Sequence, residues 1–314
     1  MPARNNSSEI RLTRVYDAPL QSVWEAWTVP EEIAQWWGPR GFTITTHSRD
    51  LRVGGHWHYT MHGPDGTDYE NTTQYLEVEP QARLVYDHGG HKDRPPLFRV
   101  TALFAEQEGG TRLELSMAFA TPEIATEMRG FIRKAGGEGT WDRLAEHLGK
   151  RRNGEEIFVI NRSFDAPIAQ VFDMWTDPAH LVRWLPPAGS KMRLIRGEIA
   201  AGRSTFFVIN GDFGAMYVRS DYLQIDPPWR IVYAQQFCDE QERPSRHPGA
   251  ATFPATMLTT VTLAEEGPER TRVTVQMAPQ GALTEVELAT FVHARGGMTQ
   301  GWGGSFDALE SLLA

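Results

Sequence analysis

The stretch "GGHWHYTMH", residues 54–62, mixes two kinds of chemistry. Successive side chains of a β-strand point to opposite faces. His56, His58 and His62 then share one face, and Trp57, Tyr59 and Met61 share the other. Two histidines at i and i+2 can ligate zinc, with Asp68, His88 or His91 to complete a site. Yet no cysteine or glutamate completes a recognisable zinc signature, and the second half of the chain has Ser204, Phe206 and Asn210 at the corresponding places. The reading is a solvated histidine face, with no metal and no cofactor.

The second concentration is "VWEAWTVPEEIAQWWGP", residues 23–39, which holds four of the chain's ten tryptophans: Trp24, Trp27, Trp36 and Trp37. No catalytic signature accompanies it. The chain has no GxSxG, no phosphate-binding loop, no GxGxxG after a strand and no HExxH, and Cys238 has no base beside it in sequence. No catalytic residue is assigned.

The elements that must position these residues emerge from an internal repeat. Shifted by 148 positions, "VWEAWTVPEEIAQWWGP" lies over "VFDMWTDPAHLVRWLPP", residues 171–187. "YLEVEPQARLVY" (75–86) answers "YLQIDPPWRIVY" (222–233), and "TRLELSM" (111–117) answers "TRVTVQM" (271–277). One domain is present twice, copy one over residues 8–149 and copy two over 155–314, joined through the charged "GKRRNGEE" at 149–156. At 314 residues, two domains of this size are the default.

Each copy has the same plan. "EIRLTRVYD" alternates as a half-buried strand. Pro19 suits the first turn of a helix carrying Leu20, Val23, Trp24 and Trp27, and Thr28 is expected to cap a second short helix that opens on Pro30. Strands follow at roughly 42–52, 55–62, 68–79, 82–88, 97–106 and 111–119, then a long helix over 122–148. Copy two closes with a helix over 282–313. Strand, two helices, six strands and a long helix make an α+β domain, an antiparallel sheet wrapped around its C-terminal helix.

The bulk composition narrows the partners. Net charge is −9 and the isoelectric point is near 5.6, which opposes nucleic-acid binding. The single cysteine excludes an internal disulfide framework and points to a reducing compartment. "MPARNNSSEI" lacks the apolar run of a signal peptide, and no eighteen-residue apolar segment exists to span a membrane. A cytoplasmic location is the expectation.

These motifs resemble the helix-grip fold of the START-like (SRPBCC, birch-pollen-allergen-like) superfamily. More narrowly, they resemble the family named for the C-terminal domain of the activator of heat-shock-protein-90 ATPase. The carriers are "DAPxxxVWxAWTxPexxxxWWGP", "GG-x-W-x-Y-x-M-x-GPDG" at 54–66, "YxEVxPxxRLVY" at 75–86, "GGTRLxL" at 109–115 and "TWDRLAEHL" at 140–148. The resemblance implies a cavity between sheet and C-terminal helix, suited to a small hydrophobic molecule. Its expected lining is Trp37, Trp57, Tyr59, Met61, Tyr75, Met128 and Phe131 in copy one, and Phe207, Ile209, Phe291 and Trp302 in copy two.

Trp27 and Trp36, matched by Trp175 and Trp184, read as core, which leaves Trp37 and Trp24 as functional candidates. Two further functions follow from the resemblance: a co-chaperone acting on the ATPase of a heat-shock chaperone, and a polyketide cyclase or aromatase with Asp68, Glu70 and Asp221 as cavity-facing acids. Copy two departs from copy one at Leu185, at Pro186-Pro187 and at Ala201-Gly202. Its closing helix holds the family's Gly-Trp pair at Gly301-Trp302, which sequence alignment sets against Gly136-Gly137. The glycines of both closing helices, costly in a helix, are read either as shaping a ligand entrance or as permitting tight helix-to-sheet packing.

Overall fold

The computed structural model describes residues 8–89, 95–134 and 139–314; the side chains of 131–134 lie outside the described residues. The chain divides into two compact units, Met1–Glu155 and Glu156–Ala314. In the first, β1 (Glu9–Tyr16) leads through α1 (Leu20–Thr28) and α2 (Pro30–Trp36) to β2 (Thr43–Arg49), β3 (His56–His62), β4 (Asp68–Glu79), β5 (Arg83–His88), β6 (Phe98–Gln107) and β7 (Gly110–Ala118). Helices α3 (Pro122–Lys134) and α4 (Gly139–Asn153) close the unit. The sheet is antiparallel in the order β1-β7-β6-β5-β4-β3-β2.

The second unit repeats the order: β8 (Phe158–Phe164), α5 (Ile168–Thr176), α6 (Pro178–Trp184), β9 (Lys191–Gly197), β10 (Ser204–Gly211), β11 (Gly214–Asp226), β12 (Arg230–Cys238), β13 (Thr256–Gly267), β14 (Arg270–Pro279) and α7 (Glu285–Leu313). Its sheet order, β8-β14-β13-β12-β11-β10-β9, is that of the first. Both units are α+β, with the C-terminal helix on the sheet. No described helix is long and apolar enough to cross a membrane.

The short helices hold because each copy locks them with one tryptophan. Trp36 is fully buried and its Nε1 donates to the carbonyl of Ala26 at 2.9 Å; Trp184 donates to the carbonyl of Met174 at 2.8 Å. Burying such a ring removes roughly 150–250 Å² from water, or about 4–6 kcal/mol of gross hydrophobic stabilisation. Helices of seven and nine residues could not persist alone, so this anchoring decides that they form.

Two sequence expectations need correction, and a third falls partly outside the described residues. Thr28 does not cap α2: its hydroxyl donates back to the carbonyl of Trp24 at 2.7 Å, and the capping position falls on Val29. In copy two the same position is Asp177, which accepts from the Ala179 amide. Residues 149–153, read as linker, instead form the last turn of α4. There Lys150, Arg151 and Arg152 face the negative end of the helix dipole, and Arg151 and Arg152 pair with Glu25 and Asp17. The expected single helix over 122–148 is described as α3 and α4, with 135–138, and hence Gly136 and Gly137, outside the described residues.

The glycines of α7 do not serve tight packing. A Cβ added at Gly296, Gly297, Gly301, Gly303 or Gly304 would meet nothing within 4 Å. The helix runs unbroken from Glu285 to Leu313, opened by a capping box between Thr284 and Glu287.

Candidate functional site

The inner face of copy one gathers an aromatic box. On β3, Trp57 and Tyr59 are buried and stack at a centroid distance of 3.9 Å. Thr73 and Tyr75 from β4, and Leu84 and Tyr86 from β5, continue the wall, while Trp27, Ile33 and Trp37 cover it from α1 and α2. Arg49 enters from β2. The nine of these other than Tyr59 line a space of about 10 Å³.

Hydrogen bonds fix the rings. Trp37 Nε1 donates to the Tyr59 hydroxyl at 3.1 Å, and Trp57 Nε1 donates to Thr46 Oγ1 at 3.1 Å. Arg143 on α4 holds the exit of α2, donating to the carbonyls of Gly38, Pro39 and Phe42 at 2.9–3.0 Å and to that of Gln35 at 3.1 Å. That staple aims Trp37 at the sheet. Burial, with the nearby Arg40 charge adding to it, lowers the Arg143 pKa to about 10, so the group stays cationic at neutral pH. Burial also raises the phenols of Tyr59, Tyr75 and Tyr86, which stay protonated and neutral.

Three polar atoms of this lining are buried with no hydrogen-bond partner: Trp27 Nε1, Arg49 Nη1 and Thr73 Oγ1. Native proteins leave few such groups, because a buried donor without an acceptor forfeits its hydration, at a cost of about 1–3 kcal/mol. The remaining contacts of Arg49 are uncharged. Its Nε donates to the Tyr75 hydroxyl at 3.2 Å, its Nη2 donates to the carbonyl of Trp27 at 2.6 Å, and its guanidinium lies 4.8 Å from the centre of Trp57.

Of the residues expected to line a cavity, Trp37, Trp57 and Tyr75 line this space, and Tyr59 is buried behind it, stacked on Trp57 and bonded to Trp37. Met61 is half-buried against the same core, near Gly38, but does not line the enclosed space. Met128 is half-buried on α3, which packs on β1, and it too is outside the lining. The Phe131 side chain lies outside the described residues. In copy two, Phe207 and Phe291 are fully packed in the core and Trp302 packs against it, whereas Ile209 is buried apart from that cluster. Trp24 is core, edge-on to Phe104 at 5.4 Å.

The alignment of Gly301-Trp302 with Gly136-Gly137 is displaced. Trp302 stacks on Trp175 at 6.0 Å and 24°, and Trp141 stacks on Trp27 at 5.8 Å and 11°. Trp141 is therefore the counterpart of Trp302, and Thr140 stands where copy two has Gly301.

The polar candidates on the outer faces are engaged with one another. His62 bonds Asp68 at 2.6 Å and Thr45 at 2.8 Å, His56 bonds Ser48, and His58 lies beside His47. His91 lies outside the described residues, and among those described no three metal-ligating side chains cluster. Asp68 and Glu70 are exposed, and Asp221 pairs with Arg219 at 2.7 Å, so none of the three faces the aromatic box. A wider groove of about 320 Å³ lies in copy two, lined by Met216, Tyr217, Cys238, Arg246 and neighbours and by none of the expected residues.

Sequence reading missed Arg49. Ile44 and Thr46 point inward, and strict alternation would send Ser48 in and Arg49 out. A β-bulge at His47 inserts one residue between the pairs Thr46–Tyr59 and Ser48–His58, which turns Arg49 inward opposite Trp57. The local sequence carries no sign of that bulge.

The family model described as "Activator of Hsp90 ATPase homolog 1-like protein" matches residues 17–149 and again 165–314. Among solved structures, a protein from Nitrosomonas europaea is 25% identical over 46% of this chain and 96% of its own, with a TM-score of 0.43. A protein from Mycobacterium smegmatis is 23% identical over 46% and 94%, with a TM-score of 0.42. The di-domain ARO/CYC BexL from the BE-7585A biosynthetic pathway is 15% identical over 97% and 98%, with a TM-score of 0.39. No curated protein matches.

Proposed function

Because the chain belongs to the Activator of Hsp90 ATPase homolog 1-like family, in two tandem copies, we propose that it is a binding protein whose copy one takes a small hydrophobic molecule between sheet and helix. The observation that carries this reading is that three residues lining one aromatic-walled space, Trp27, Arg49 and Thr73, each keep a buried polar atom without a partner. Well-packed cores pair such groups; binding sites keep a few to orient a ligand. The enclosed 10 Å³ is about the room of one water, whereas a dry cavity of roughly 150 Å³ admits benzene. A ligand therefore enters by displacing side chains. Met61, unbranched and adjacent, is the softest neighbour.

The lining has hydroxyls and one guanidinium but no carboxylate, so it offers no general acid–base pair and supports binding over catalysis. Native mass spectrometry of the full chain purified without denaturant tests the reading. The expected result is one small molecule per chain, released by organic solvent, with saturable quenching of tryptophan fluorescence when 2-naphthol is added to the stripped protein. A protein that emerges bare and ignores 2-naphthol ends the proposal.

A further inference from the structure

We infer that the ligand of copy one is an acid, a flat hydrophobic body whose carboxylate seats on Arg49. This rests on the binding reading above and adds the chemical class. An arginine is charged at any working pH and presents a planar fork matched to a carboxylate. Elsewhere several sheltered guanidiniums meet a carboxylate: Arg40 pairs with Glu146 at 2.7 Å, Arg295 with Glu156 at 2.8 Å and Arg272 with Glu266 at 3.7 Å, whereas the buried Arg14 donates to the Thr13 carbonyl and keeps Nε without a partner. Arg143 is saturated by the carbonyls at the exit of α2.

Arg49 has no such answer. Its two hydrogen bonds go to a hydroxyl and a carbonyl, one face is spent on Trp57, and Nη1 is buried and idle. Among the described residues no carboxylate pairs with it. Thr73, 1% exposed and also with an idle hydroxyl, lines the same space and can donate to a second oxygen. Trp27, Trp37 and Trp57 supply flat apolar walls for the body of the molecule.

Copy two cannot offer the same seat. The position of Arg49 is Gly197, with φ +99°, where a Cβ would lie 1.9 Å from the carbonyl oxygen of Ser204. Thr205 and Leu185 stand where copy one has Trp57 and Trp37. The stoichiometry is therefore one acid per chain.

The test titrates the full chain with 2-naphthoic acid and with its neutral isostere 2-naphthamide, by calorimetry, in wild type and in Arg49→Met and Arg49→Lys. The expected result is one acid per chain, bound about tenfold to a hundredfold more tightly than the amide. Arg49→Met abolishes that preference and Arg49→Lys retains part of it. Affinity for the acid falls as the pH is lowered through the probe's own carboxyl titration, and affinity for the amide does not. Equal binding of the two probes by wild type, two acids per chain, or a preference that survives in Arg49→Met overturns the acid while leaving ligand binding intact. Binding of neither probe overturns both. The wild-type ratio decides even if a variant fails to fold.

Discussion

Copy one and copy two carry the same seven-strand plan, the same tryptophan lock between their short helices, and the same stacked ring on the closing helix. They differ in what fills the space beneath. Copy one has Trp37, Arg49, Trp57 and Tyr59, linked by hydrogen bonds and a cation–π contact. Copy two has Leu185, Gly197, Thr205 and Phe207 at those places. A duplicated fold is thus held by one set of positions and specialised by another. Apolar substitutions that keep volume repack at little cost, whereas a buried charge needs a purpose.

That division can be broken at its base. Trp36→Ala and Trp184→Ala should each cost about 3–5 kcal/mol in their own unit, because each leaves a cavity and an unmet carbonyl. Chemical denaturation followed by tryptophan fluorescence checks this, six of the ten tryptophans lying in the first unit. A tryptophan lock that mattered in only one copy would show unequal losses.

Installing a side chain at the point of divergence should cost nearly as much. Gly197→Ala puts a Cβ against the backbone of Ser204 in a left-handed conformation, and copy two should lose about 2 kcal/mol or more. An unchanged melting transition would mean that copy two tolerates the arginine it lacks.

A third difference is acid sensitivity. His88 in copy one is held at a pKa of about 4 by burial, and copy two has Gln235 there. The folded state disfavours the proton, so its stability is full above about pH 6.5 and falls as the pH is lowered toward 4, where the unfolded chain alone is protonated. The loss should be on the order of 3 kcal/mol by pH 4, and His88→Gln should remove that part of the pH dependence of the first transition.

Smaller still is the hydroxyl swap. Tyr59→Phe strands Trp37 Nε1 and should cost about 1–2 kcal/mol in copy one. Phe207→Tyr adds a hydroxyl opposite Leu185, with no indole to meet it, and should cost a similar amount rather than stabilise. Equal tolerance of both would place the distinction between the copies elsewhere.

The smallest effect has the opposite sign. Gly303→Ala and Gly304→Ala should each stabilise copy two by about 0.5–1 kcal/mol, since nothing lies within 4 Å of the added carbon. Differential scanning calorimetry reads the upward shift. A loss instead would mean that the glycines relieve a contact.

The sequence by itself determined the duplication, the α+β class, nearly every strand and the burial of Trp27 and Trp36. Repeats and two-residue periodicity are written along the chain, and matched copies separate lasting anchors from variable fillers. Alternation along β3 also set Trp57 and Tyr59 on one face, where both are buried.

Only the tertiary structure decided the rest. A bulge at His47 turned Arg49 inward, ring stacking rather than alignment matched Trp141 to Trp302, and Arg143 reached from α4 to staple the carbonyls around Trp37. Each depends on residues distant in sequence closing on one another. A β-bulge shifts the inward face by one residue, and a long cation finds its partners only once two elements have packed. Neither leaves a local pattern to read.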